Sequence, residues 1–153
     1  MTLIVNYSSV EERDMDTLFL ELIGSDKDFL KIFIDKVEKI KGQSFEVQSI
    51  ELSKSDNHGE SDITVIIEDN GIKYGFLIED KINAIAMEEQ CNRYTIRGEK
   101  GIKNGDYKDF FVFIVSPEKY YAQDEEAKKY KYFVSYEECR EYLKSKDIIL
   151  YQI

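Results

Sequence analysis

The segment Asp62-Ile63-Thr64-Val65-Ile66-Ile67-Glu68-Asp69-Asn70-Gly71-Ile72-Lys73-Tyr74-Gly75-Phe76-Leu77-Ile78-Glu79-Asp80-Lys81 decides how this chain folds. It is two β-rich runs around Asn70-Gly71, a dipeptide suited to the positive φ angles of a two-residue hairpin turn. With that turn, Asp69 faces Ile72, and every later opposed pair follows from it. Asp62 then lies opposite Glu79, and Lys81 opposite Glu60. Because side chains alternate with period two, Glu60, Asp62, Glu79 and Lys81 share one face, with opposed Cβ atoms about 5 Å apart. Three carboxylates and one ammonium are brought together.

Both faces of these strands are apolar, through Ile63, Val65, Ile67, Phe76 and Ile78 on one side and Ile66 and Leu77 on the other. A sheet of that kind is covered on both sides. The flanking sequence supplies the cover. Helical spacing predicts a first helix over residues 10–23, capped by Ser9 with Glu12 and ended by Gly24, and a second from Ser25 or Asp26 to Gly42. Further helices are expected over 84–97, 118–129 and 136–144, the last capped by Ser135 with Glu138. Phe45, Val47 and Ile50 mark a half-buried strand, 110–115 a buried one and 132–134 a short one. The expected fold is α/β: a single domain over residues 1–153 with a mixed sheet of four or five strands between helices. A chain of this length buries roughly two thirds of its unfolded surface.

The formal net charge is −10, with 34% charged and 42% hydrophobic residues. An acidic surface repels a polyanion, so a nucleic-acid partner requires locally concentrated positive charge. Carboxylates that hold a divalent cation are partly neutralised by it, which weakens the objection. Cys91 and Cys139 lack metal-ligand or dithiol spacing and read as reduced, packed thiols. No targeting segment and no apolar run of about 20 residues is present, so a cytoplasmic protein without a membrane partner is expected. His58 is the sole histidine, sits in a polar loop, and leaves no basis for a His-based triad or zinc cluster.

Mg²⁺ or Mn²⁺ takes hard oxygen ligands, often one or two carboxylates with waters and a phosphate oxygen. Asp62 and Glu79 on adjacent strands fit that need, and the main-chain carbonyl of Asp80 is close enough to add a ligand. Lys81 then stands where an ammonium helps orient or deprotonate a water and offsets charge building on a phosphate. On an exposed face, opposed carboxylates are a mild destabilisation of under about 1 kcal/mol. At the buried end of two apolar strands, like charges call for a cation.

Ser61-Asp62, followed on the next strand by Glu79-Asp80-Lys81, resembles the motif of the PD-(D/E)XK nuclease superfamily, an acidic residue on one strand and (D/E)-x-K on the next. The superfamily's proline before the aspartate is replaced by Ser61. The surroundings Gly59-Glu60-Ser61-Asp62-Ile63, Ile78-Glu79-Asp80-Lys81-Ile82-Asn83-Ala84 and Gln90-Cys91-Asn92-Arg93-Tyr94 are similar to successive motifs of bacterial members. The likeness runs from about Glu12 to Ser135. It implies a restriction-endonuclease-like core and metal-dependent phosphodiester hydrolysis, with a Gln and a Tyr one helical turn apart after the lysine strand. The resemblance also implies an acidic ligand from the opening helix. Glu12 is favoured, although it equally completes a capping box with Ser9, and Asp16 is the alternate on the same face. Glu60 either touches a second ion or flanks the site.

Gln90, Arg93, Tyr94 and Arg97 line one surface of their helix, and with Lys100, Lys103 and Lys108 they form the local basic patch a nucleic acid requires. The expectation is therefore a nuclease acting on nucleic acid, with DNA favoured. Asp62, Glu79, Lys81, Glu12 and Gln90 form its centre, and Arg93, Tyr94 and Arg97 contact the substrate. A catalytically inactive module of the same fold that binds protein or nucleic acid is the alternative. A homodimer or a DNA-binding partner would supply positive surface that the chain lacks. Tyr120, Tyr121, Tyr130, Tyr132 and Tyr136 form either a base-stacking stripe or a partly buried rim.

Overall fold

The computed structural model describes residues 12–42, 44–54, 61–81 and 90–151, with the side chains of 17–42, 44–52, 63–81 and 90–146. The hairpin forms in the predicted register. Asn70 and Gly71 have φ of 52° and 78°, as a two-residue turn of primed type requires. Strands β2 (Ser61–Asp69) and β3 (Ile72–Asp80) pair antiparallel, Asp69 with Ile72 and Asp62 with Glu79. The expected partner of Lys81, Glu60, lies outside the described residues.

Strand β1 (Phe45–Lys54) pairs antiparallel with β2 and carries an irregularity between Val47 and Ser49. Gln48 is the extra residue. It explains why Phe45 and Val47 alternate in one phase and Ile50 and Leu52 in the other, since a bulge of one residue returns all four to the same face. Strand β4 (Asp109–Ser116) joins β3 in parallel, and β5 (Tyr132–Ser135) joins β4 in parallel. The result is a mixed five-stranded sheet in the order β1-β2-β3-β4-β5. Each parallel step needs a crossover. The first uses helix α3 (Gln90–Lys103), and the second uses α4 (Glu118–Gln123) with a 3-10 turn (Ala127–Lys129).

Helices α1 (Glu12–Ser25), α2 (Lys27–Ile34) and α5 (Tyr136–Tyr151) cover one face of the sheet. There Phe19, Ile23, Phe29, Leu30, Phe33 and Ile34 pack on Ile63, Val65, Ile67, Phe76, Ile78 and Phe113. On the other face Tyr94, Tyr107, Ala127 and Tyr130 pack on Leu77 and Ile114. The two-sided apolar pattern of the central strands is therefore used on both sides. Asp26 ties the first layer together: it accepts from the amides of Asp28 and Phe29 at the start of α2, and from the Tyr142 hydroxyl of α5 at 2.5 Å. No helix among the described residues is long and apolar enough to cross a membrane.

Several element bounds differ from expectation. Helix α1 runs through Gly24 to Ser25, and the expected Ser9 cap lies outside the described residues. Helix α2 ends at Ile34 rather than near Gly42. Tight turns follow, with Lys36 and Val37 donating to the carbonyls of Phe33 and Ile34, and they still bury Val37 and Ile40. The expected helix over 118–129 is broken at Asp124, whose extended backbone ends α4 and whose carboxylate caps the amide of Ala127 at 2.9 Å. Helix α5 begins where the Ser135 and Glu138 capping box predicts, with both reciprocal bonds formed, and runs past residue 144.

Helix α3 continues six residues beyond Arg97, through Gly98 and Gly101. These glycines do not end the helix, because they allow its backbone to lie against β4 and the loop before it. A methyl group on Gly98 would overlap the Phe110 ring, and one on Gly101 the Tyr107 hydroxyl group. Tyr107 also closes over Gly75 of β3, where an added Cβ would lie 2.7 Å from its ring. We expect Gly98→Ala to destabilise the protein by about 1–3 kcal/mol through overpacking, despite the higher helix propensity of alanine. Urea unfolding measures this, and an unchanged midpoint would show that the α3 contact has slack.

Candidate active site

Strand β3 is buried continuously from Gly75 to Asp80 because it has a neighbour on each edge and helices over both faces. Charged residues at its end therefore enter a nearly dry environment. Alternation sends Glu79 toward α3 and Asp80 toward α1, α2 and α5. Lys81, just past the strand, returns to the α3 side, where its amide donates to the Val115 carbonyl of β4 at 2.9 Å. Glu79 and Lys81 are 1% and 3% exposed.

Four side chains converge there. The Lys81 ammonium is 3.3 Å from Glu79 Oε1, and the Gln90 amide donates to the same oxygen at 3.1 Å. The Tyr94 hydroxyl donates to Oε2. Gln90 and Tyr94 reach one carboxylate because they are one turn apart on α3 and both face the sheet. Their helix is held from a second side, since Glu126 accepts from the Cys91 amide at 3.3 Å and pairs with Lys129 at 2.8 Å. The Tyr130 ring stands 6.2 Å from that of Tyr94.

A buried ion pair rarely stabilises a fold compared with an apolar pair of equal volume, because desolvation offsets the attraction. Removing one member alone is severe. The Glu79–Lys81 pair therefore departs from what packing by itself would select, and such departures concentrate at functional sites. A carboxylate has about four acceptor positions, so hydrogen-bond donors and a metal ion can share one. The chemistry of this set suits a hard cation beside an ammonium.

Asp80 stands apart. Its carboxylate accepts from the Tyr136 hydroxyl at the start of α5, on the opposite face from Glu79. Only its main-chain carbonyl remains a ligand candidate on geometric grounds. Asp62 is on β2 as the register partner of Glu79, while its side chain, and those of Glu12 and Asp16 on α1, lie outside the described residues. Glu60 and His58 lie outside them altogether. Among the described residues no group of three or more His, Cys, Asp or Glu side chains is gathered as a metal cage.

The expected shared surface of α3 is divided. Gln90 and Tyr94 are buried, whereas Arg93 and Arg97 are exposed, with the Arg97 guanidinium 5.1 Å from the centre of the Tyr94 ring. Lys100, Lys103 and Lys108 are exposed. The tyrosines form no single stripe, because the sheet separates them. Tyr130 lies in the α3-side core, Tyr136 holds Asp80, and Tyr132 stacks 5.1 Å from Phe113 on the other side. Both cysteines are free. Burial, with Glu138 and Asp80 nearby, pushes the Cys139 thiol up to about 12.

Tyr136 and Glu126 are structural partners of the site that sequence reasoning did not find. The Ser135 capping box places Tyr136 at a helix start, yet no local pattern indicates that its hydroxyl reaches back to β3. No family model, curated protein or solved structure matches the chain. Tyr136→Phe should destabilise the protein by about 1–3 kcal/mol, because the buried Asp80 carboxylate loses a hydrogen-bond donor; calorimetric melting of the two proteins tests this. Cys139 should resist alkylation at pH 8 in the native state and react only on unfolding, as its thiolate is scarce there; mass spectrometry of labelled protein shows which occurs.

Proposed function

We propose that this protein is a divalent-metal-dependent nuclease of restriction-endonuclease-like fold, acting in the cytoplasm on nucleic acid, with DNA the favoured form. The observation that carries this reading is the buried Glu79–Lys81 pair at the end of β3, with Gln90 and Tyr94 fixed on the same carboxylate. The likeness of Asp62 and Glu79-Asp80-Lys81 to the PD-(D/E)XK motif supports it, as does the register that opposes Asp62 to Glu79.

In this reading Asp62, Glu79, the Asp80 carbonyl and Glu12 hold Mg²⁺ or Mn²⁺. When bound, such an ion would acidify a water and neutralise phosphate charge. Lys81 adds a fixed ammonium that offsets negative charge on the phosphate. Its position is held by Glu79, and its low exposure strengthens the effect, since charges act more strongly away from bulk water. Gln90 and Tyr94 orient the Glu79 carboxylate so that it need not reorganise during the reaction. Arg93 and Arg97, exposed at the edge of the same helix, contact the substrate backbone.

The test is cleavage of single-stranded, duplex and RNA substrates with Mg²⁺ or Mn²⁺, and with EDTA as control. Metal-dependent cleavage should fall at least about 100-fold in Lys81→Met and in Glu79→Gln. Removing one member of a buried pair also destabilises by about 3–5 kcal/mol, so circular dichroism must show that both variants remain folded at the assay temperature. Undiminished turnover in a folded variant rejects the mechanism.

A further inference from the structure

An α-helix turns about 100° per residue, which sorts the residues of α3 into arcs. Gln90, Tyr94, Gly98 and Gly101 form the buried arc. Beside it lies an exposed arc of Arg93, Ile96, Arg97, Lys100 and Lys103. The helix holds four basic residues against the single acid Glu99, a net of +3, in a chain whose formal charge is −10. Several lysines elsewhere are engaged with acids, as in Lys27–Glu46, Lys36–Glu138, Lys39–Asp109 and Lys146–Asp26. Lys100 and Lys103 make no such pair among the described residues.

A second feature of this arc is Ile96, 59% exposed and set among the cations. A ligand with both charged and apolar parts would use it. The arc adjoins the site through Arg97, whose guanidinium stands over the Tyr94 ring.

The geometry points to the Arg93–Lys103 arc as the track along which a nucleic-acid strand runs from the site, its phosphates against the four basic side chains and a sugar or base against Ile96. The assignment of the site end of this track rests on the nuclease reading above. From Arg93 to Lys103 the helix rises about 15 Å, long enough to meet a few successive phosphates of one strand. The net acidity of the chain then confines the nucleic acid to this helix, since other surfaces repel it.

Lys100 and Lys103 lie beyond the proposed centre, so they isolate the track from catalysis. Binding of labelled single-stranded and duplex oligonucleotides is followed by fluorescence anisotropy in EDTA across a salt series. Each phosphate contact contributes about 0.9 to the slope of log K against log salt for duplex and about 0.7 for a single strand. The double variant Lys100→Ala with Lys103→Ala should bind several-fold more weakly at low salt, with a slope shallower by about 1.4–1.8. A control, Lys128→Ala with Lys144→Ala, should bind as the native protein does.

An unchanged slope in the first variant, an equal loss in the control, or no binding by the native protein overturns the track. Metal-dependent cleavage, measured separately, decides the nuclease reading. Cleavage with an unchanged slope leaves the enzyme and removes the track, whereas a shallower slope without cleavage leaves the track and removes the enzyme.

Discussion

The structure depends on the two-residue turn at Asn70-Gly71, because it locks the phase of the two central strands. Period-two alternation then leaves no freedom: once Asp69 faces Ile72, Glu79 is assigned to one face of the sheet and Asp80 to the other. A slip of one residue would exchange those faces. According to which strand moved, Glu79 would lose Gln90 and Tyr94, or Ile63, Val65 and Ile67 would leave the core that α1 and α2 cover. The apolar and polar patterns therefore enforce the same register.

Within that register, two carboxylates adjacent in sequence are buried back to back. Each is met by a tyrosine hydroxyl, Tyr94 for Glu79 and Tyr136 for Asp80, and the strand itself separates them. The α3 side adds an ammonium and an amide. The α3 face is thus a charged cluster whose energetic cost packing does not explain. The asymmetry arises from what the crossover helices bring: α3 presents a Gln and a Tyr one turn apart, while α5 presents a Tyr from its first position.

The hairpin, its register and the two-sided burial of β2 and β3 were legible in the sequence because they rest on local rules, a turn dipeptide and a period of two. So was the capping box at Ser135. Helix ends were less legible. The expected end of α3 at Arg97 fell short, because Gly98 and Gly101 continue the helix in close packing against Phe110 and Tyr107, a long-range contact that local sequence does not encode. Asp124 broke a helix that periodicity alone would have continued. Of the candidate site, Glu79, Lys81, Gln90 and Tyr94 lie together; alternation put Glu79 and Lys81 on one face, whereas Gln90 and Tyr94 entered only through the resemblance. That Gln90 and Tyr94 would be buried while Arg93 and Arg97 stay exposed is set by where α3 docks on the sheet, a tertiary fact invisible to spacing.

The extra residue at Gln48 has a meaning for the company this protein keeps. It lies in β1, an outer strand of the sheet, and the opposite outer strand, β5, is four residues long. A kinked border on one side and a stub on the other offer poor templates for another chain to add a strand. Edge-to-edge pairing of two copies through these strands is accordingly disfavoured.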